Sequence, residues 1–337
     1  MKISEFLRRG TLQIAGGVIL NLFKMKKRRD TLYFGDIPAR YFLLCEKNGF
    51  AAEVQQIGQK WMYLYFSTLV PEALRKLRPD ELLNGIVKNI WVNMGLMSGF
   101  SMSVEDKHVT INTRDEGMSE LIGSNSFLTG FHQGVLNALY GKEVEVAETR
   151  QTREECLYSF RILDKKFRLE GKGKAAYDQL NHIPEMRGLT LHDMLKTKVF
   201  YLRGKKLYFR GKIIYPIENT VLHLFGNSGI LLDKVPEISY RFFSEILEKA
   251  SGEEEKLRLL KNLLQAMGWG IFGITKAGAS VKIGIDHPPY GLQKEKDNWD
   301  FLIRMMLGYL MAIDEGYAIE KINEGYKALT IDFSRQG

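Results

Sequence analysis

The chain has 337 residues, 45% of them hydrophobic and 26% charged, with a formal net charge of +8 and two cysteines. This composition excludes a disordered chain and a disulfide framework, and the length suffices for two domains with cores of their own. Cys45 and Cys156, without a CxxC motif or a Cys/His cluster, fit a reducing, cytoplasmic setting and argue against a zinc site.

Arg8 and Arg9 precede an apolar run over 10–23, which resembles a signal peptide until Gln13 and the lysines that follow it are counted. The run is also shorter than the roughly 20 apolar residues a spanning helix needs, so no membrane span is expected. The positive charge is concentrated in the middle: 164–227 carries 13 basic against 6 acidic residues, whereas 1–163 carries 21 against 18 and 228–337 carries 14 against 16.

In chain order, a short helix from Ser4 leads to a strand over 18–23, a basic turn and a strand over 31–34; the pattern returns at 198–214, KVFYLRGKKLYFRGKII. The cations Lys26, Lys27, Arg28 and Arg29 in the first copy and Lys205, Lys206, Arg210 and Lys212 in the second read first as solvated turn and edge positions. Their alternative reading is a phosphate-binding or nucleic-acid patch. Amphipathic helices follow at 53–69 and 236–250, then at 80–95 and 253–268, each second helix stopped by a glycine, Gly95 or Gly268. The period then changes from about 3.6 to 2 and marks two hairpins, 100–104 with 109–111 and 271–274 with 281–285.

The strongest repeat comes next, helix 127–141 matched by 301–316, in which Leu128, Phe131, Val135, Ala138 and Leu139 fall on Leu302, Met305, Tyr309, Ala312 and Ile313. Gly134 falls on Gly308. A mid-helix glycine costs roughly 1 kcal/mol relative to alanine, so its use twice at one position predicts that another backbone or a ligand comes close there. Strands at 155–163 and 327–333 close the two copies; in the first, Cys156, Tyr158, Phe160 and Ile162 share a face. The expectation is an α+β protein of two tandem copies of a small antiparallel sheet covered by helices: 1–163, a basic Lys/Gly-rich linker over 164–184, and 185–334.

The stretch LTGFHQGVLNALYGKEVEVAETRQTREECLYSF resembles the C-terminal half of the 4-vinyl-reductase domain, where a glycine-containing helix leads to a strand, a glutamate, a cysteine-bearing loop and a final strand. Glu148 takes the glutamate position and Cys156 that of the last cysteine. The resemblance covers both copies in outline and implies kinship with subunits of vesicle-tethering complexes that hold an acyl chain and with haem-based nitric oxide sensors. The chain departs from it at Gln151, where a cysteine is expected, near 124–126, where none occurs, and at Ala328, which takes the cysteine's place in the second copy. The ligands for metal or redox chemistry are therefore missing, and no cofactor is expected.

His132, at the margin of its helix's apolar stripe, is the nearest approach to a haem ligand, but no carboxylate stands beside it in sequence and packing is the simpler reading. Cys156 reads as a buried small hydrophobe whose acidic neighbours Glu154 and Glu155 raise its pKa. No catalytic residue is assigned. What the resemblance implies is an apolar ligand pocket, with Trp61, Tyr65, Trp91, Phe131, Gly134, Phe242, Met305, Gly308 and Tyr309 as its candidate walls; the competing reading is plain core. The expected function is a non-catalytic ligand-binding or assembly protein, a homodimer or partner of another protein, sensing a hydrophobic small molecule. The alternatives are a nucleic-acid-binding protein using the basic middle segment and an enzyme of tetrapyrrole metabolism that reduces a vinyl group.

Overall fold

The computed structural model describes residues 13–15, 18–20, 29–183, 188–248, 250, 252–294 and 297–336. Unit one runs through strands β1 (Gln13–Ala15), β2 (Val18–Leu20) and β3 (Arg29–Phe34), and helices α1 (Asp36–Lys47), α2 (Ala51–Thr68) and α3 (79–93). After these come β4 (Gly99–Glu105), β5 (His108–Arg114), α4 (Ser126–Tyr140), β6 (Lys142–Gln151) and β7 (Glu155–Lys166). Unit two repeats the order with β8 (Phe200–Arg203), β9 (Lys206–Phe209), β10 (Lys212–Ile217), α5 (Thr220–Ser228), α6 (Val235–Leu247), α7 (Glu253–Ala266), β11 (Ile271–Ala277), β12 (Ser280–Asp286), α8 (Asp300–Met311), β13 (Tyr317–Gly325) and β14 (Ala328–Arg335). The α+β duplication predicted from periodicity is present. The opening helix and the basic turn with Lys26, Lys27 and Arg28 lie outside the described residues.

Each unit closes a four-stranded antiparallel sheet, β4-β5-β7-β6 and β11-β12-β14-β13, while the opening strands of both units merge into one six-stranded sheet, β1-β2-β3-β10-β9-β8. The edge strands β6 and β13 escape the period-2 reading because their alternation is short: Val144 and Val146, and Tyr317 and Ile319, turn to the core, and most of the residues after them are exposed. Helix α5 escapes the period-3.6 reading for the opposite reason: Val221 to Phe225 are all buried, and a stretch without a polar face has no amphipathic signal. Helix α1 does carry a stripe, with Ile37, Tyr41, Phe42 and Cys45 buried and Asp36, Arg40 and Lys47 nearer the surface, which sequence reading missed.

The seam between units has a local twofold axis. β3 and β10 pair antiparallel with Phe34 opposite Ile214 and Thr31 opposite Ile217, so exchanging the units exchanges these two pairs. Between them Leu32 faces Pro216, which has no N–H to offer. Both backbone groups of Leu32 turn to unit two instead: its N–H donates to Met267 O at 2.8 Å, and its carbonyl accepts from Trp269 Nε1 at 2.7 Å. Aromatic side chains continue the contact, with Phe42 5.2 Å from Phe225, and Phe225 and Phe301 meeting Tyr41 at 5.8 and 5.3 Å. The result is one apolar core running through both units rather than a core for each.

Gly134 and Gly308 admit a backbone, not a ligand. A methyl group on Gly134 would lie 2.9 Å from the Gln59 carbonyl carbon of α2, and one on Gly308 would lie 2.8 Å from Tyr240 N of α6. Side-chain amides lock the closer pair, Gln55 to Gln133 and Gln59 to Asn137, each at 2.9 Å. The predicted linker is a packed strap. Helix Lys174–Leu180 buries Tyr177, Gly171 forms a bridge with Gln293, and Lys172 pairs with Asp297 at 2.5 Å.

Candidate functional site

The predicted wall residues are distributed through the common core. Trp61, Trp91, Phe131, Phe242, Met305 and Tyr309 are buried there, with Tyr65 half-buried against it. Trp61, Trp91 and Phe131 cluster in unit one, with Phe131 5.7 Å from Trp61 and 5.2 Å from Trp91. Trp61 also donates across the seam to Glu218 at 3.2 Å; Glu218 accepts from Tyr177 OH at 2.8 Å and from Thr220 Oγ1 at 3.0 Å, which ties unit one, the strap and unit two together. Clefts also open elsewhere among the described residues. One of about 380 Å³ runs along α2, α4 and β6, and one of about 630 Å³ lies over the end of the β4-β5-β7 strands, where its lining includes Phe100, Thr113 and Cys156.

Three of the central cations face internal partners. Lys206 pairs with Glu120, Arg210 donates to the carbonyl of Ile246, and Lys212 meets Glu245 at 2.5 Å. These pairings spend much of the charge that a phosphate contact would use. Lys205 is half-buried and Arg29 lies in β3.

Among the described residues, two buried clusters of titratable groups stand out, His223 with Asp297 at 3.8 Å and Lys172 beyond it, and the one around His132. Glu116, at the turn between β5 and helix Gly117–Ile122, projects into unit one and meets His132 Nε2 at 2.7 Å. Its other oxygen accepts from Thr113 Oγ1 at 2.6 Å and from Tyr158 OH at 2.8 Å. Cys156 sits at the rim of this cluster, and Ser119 Oγ accepts from the side-chain amide of Asn125, the N-cap of α4, at 3.1 Å. Glu116 and Thr113 are 2% exposed, and His132, Tyr158 and Ser119 are fully buried. The absence of a carboxylate partner, inferred for His132 from its sequence neighbours, is therefore corrected: the partner arrives from 16 residues away, through the β5 to α4 connection.

The environment sets the proton states. Burial works against the Glu116 carboxylate, but the contacts from His132, Thr113 and Tyr158 outweigh it and hold its pKa below the ordinary value. Burial, reinforced by the Glu116 charge, pushes Tyr158 well above the usual phenol range and raises Cys156 too. Cys156 is thus a poor nucleophile as expected, although burial and Glu116 rather than Glu154 and Glu155 are the causes. Since a carboxylate only accepts, His132 Nε2 carries the proton in their hydrogen bond. His132 Nδ1 is buried without a hydrogen-bond partner among the described residues. The ring lies 4.5 Å from Tyr158, 5.1 Å from Phe131 and 6.4 Å from both Trp91 and Phe100.

Among the described residues, the matched positions of unit two repeat none of this. Val109 faces Phe160 as Val281 faces Phe333, and two residues on, Ile111 faces Tyr158 as Ile283 faces Ile331. The next inward pair is Thr113 with Cys156 in unit one and Ile285 with Leu329 in unit two. The counterpart of Cys156 is therefore Leu329, one residue beyond the Ala328 assigned from sequence. Left-handed residues, Asp115 at φ 46° and His287 at φ 53°, follow both strands, which sets Glu116 against Pro288, and the Gly134–Gly308 match sets His132 against Met306. Five polar positions in unit one are apolar in unit two, and the fold forms both ways.

Glu116, Thr113 and Tyr158 are the functional candidates that pattern reading missed. The available signal was the inward phase of Thr113 and Tyr158 in their strands, set beside the isoleucines at the matching phase of unit two. Among the described residues no group of three or more His, Cys, Asp or Glu side chains is arranged to hold a metal ion, and no helix is long and apolar enough to cross a membrane. No known protein-family model matches the chain, and no curated protein matches it.

Proposed function

We propose that this chain is a non-catalytic ligand-binding or assembly protein, a tandem of two 4-vinyl-reductase-like units in which unit one senses a small hydrophobic molecule and unit two is its structural counterpart. The observation that carries the reading is the contrast at matched positions: Thr113, Glu116, His132, Cys156 and Tyr158 against Ile285, Pro288, Met306, Leu329 and Ile331. Burying a carboxylate and an imidazole costs stability relative to well-packed apolar residues, and unit two demonstrates that the scaffold accepts the apolar solution. A polar cluster kept at that cost at these matched positions, in unit one and not in unit two, fits a binding role.

Binding fits the groups better than turnover does. The carboxylate is held ionised by three donors, the phenol and thiol are held protonated, and the cluster offers no activated nucleophile at neutral pH. The pseudo-twofold seam supports the assembly half of the reading, because one chain already contains the symmetric contact that separate subunits would make. Native mass spectrometry of gently purified protein, followed by solvent extraction, tests the proposal. A stoichiometric apolar adduct is the expected result. Adduct-free protein from repeated preparations, or turnover of a tetrapyrrole or hydrocarbon, would refute it.

A further inference from the structure

We propose that Nδ1 of His132 is the recognition atom of a buried ligand site in unit one, and that its ligand is a small, neutral, largely apolar molecule carrying one O–H or N–H donor. The inference rests on the ligand-binding reading and specifies its chemistry. Glu116 fixes the ring through Nε2, so in the singly protonated imidazole the Nδ1 lone pair is the one acceptor of the cluster left unmet among the described residues. An unmet buried acceptor is destabilising, and Met306 fills the same place in unit two without that penalty. The surroundings determine the rest of the ligand. Trp91, Phe100 and Phe131 present ring faces and edges around His132, which suits an apolar, flat body.

A charged ligand does not fit. The Glu116 carboxylate already lies 2.7 Å from the ring, which disfavours an anion, and a cation would find its oxygens engaged by Thr113, Tyr158 and His132. The cleft of about 630 Å³ lies next to the cluster, since Phe100, Thr113 and Cys156 belong to the surroundings of the site and also line that cleft.

The test uses indole, which has one N–H donor, and benzofuran, its isostere without one, titrated by calorimetry into solvent-extracted full-length protein with ¹⁵N-labelled histidines. Indole is expected to bind saturably, at least tenfold more tightly than benzofuran, and to move the His132 Nδ1 resonance. His132→Met, which installs the residue of unit two, is expected to keep the fold and erase the preference. Should His132→Met fail to fold, Glu116→Gln serves instead: its amide can donate to Nε2, moving the ring proton to Nδ1, and the preference for indole should fall. Failure of indole to bind, equal affinities for the two probes, or a preference that survives in the variants would overturn the site. A native adduct retained at wild-type stoichiometry in His132→Met would overturn the site alone and leave the ligand-binding reading standing, whereas no adduct and no probe binding in the wild type would remove both.

Discussion

Gly130→Ala tests whether α2 and α4 touch through their backbones. A methyl group at position 130 would stand 2.7 Å from the carbonyl carbon of Gln55, closer still to its oxygen, and 3.0 Å from Gln59 N. Carbon contacts settle near 3.5–4.0 Å, so the helices must part by about 1 Å or bend. Neither is cheap here, because the obstruction is backbone, and parting would stretch the Gln55–Gln133 and Gln59–Asn137 amide bonds, both 2.9 Å. Overpacking of this kind costs about 1–3 kcal/mol, and lost amide bonds add about 1 kcal/mol each. Alanine's better helix propensity returns about 1 kcal/mol. The net expectation is destabilisation by about 2–4 kcal/mol, seen as a fall of several degrees in melting temperature and a lower denaturant midpoint. Gly85→Ala is the internal control, since nothing lies within 4 Å of its added methyl; it should be neutral or slightly stabilising. A Gly130→Ala protein as stable as the wild type would refute the close approach.

Three further outcomes follow from the packing and the charges. Although burial opposes it, Glu253 is held at a pKa of about 2 by Lys276, Tyr317 and Arg335; with an ordinary value of 4.5, its contribution is present above pH 4.5 and lost as the pH falls toward 2. Glu253→Gln should therefore lower stability at pH 7 and flatten the acid limb of the stability curve between pH 4.5 and 2, as measured by denaturant titrations at each pH; an unchanged acid limb would contradict this. Cys45, pushed up to about 11 by burial, and Cys156, raised for the same reason, should resist iodoacetamide at pH 7.5 in the native protein and react in denaturant, and labelling of either thiol in the native state would count against the packing. Trp61→Phe removes the hydrogen bond to Glu218 across the seam while keeping an aromatic ring. It should cost about 1–3 kcal/mol in chemical unfolding, and a neutral effect would show that Glu218 is satisfied without it.

Local pattern determined a good deal. The helices at 53–69 and 236–250, the hairpins after Gly95 and Gly268, and the shared face of Cys156, Tyr158, Phe160 and Ile162 follow from periodicities that each segment carries in its own residues. Pairing two copies of one pattern within the chain also located Gly134 and Gly308 as points of close approach. Elements with little contrast, α5 without a polar face and β6 and β13 with apolar residues near one end only, carry weak periodicity and were not legible.

Tertiary structure decided the rest, because it brings together groups that are distant along the chain. The β3–β10 pairing joins residues 31–34 to 214–217, and no local signal distinguishes a strand that pairs within its unit from one that pairs across to the other. The Glu116–His132 pair depends on a left-handed Asp115 and on the crossing of α4 over β5 and β7, so the carboxylate that was sought beside His132 in sequence lies beside it only in space. Sheet register, too, moved the match of Cys156 from Ala328 to Leu329, since one residue changes the face of a strand and sequence similarity at that position is too weak to fix it. Periodicity records which face a residue takes; only the packed chain determines what that face meets.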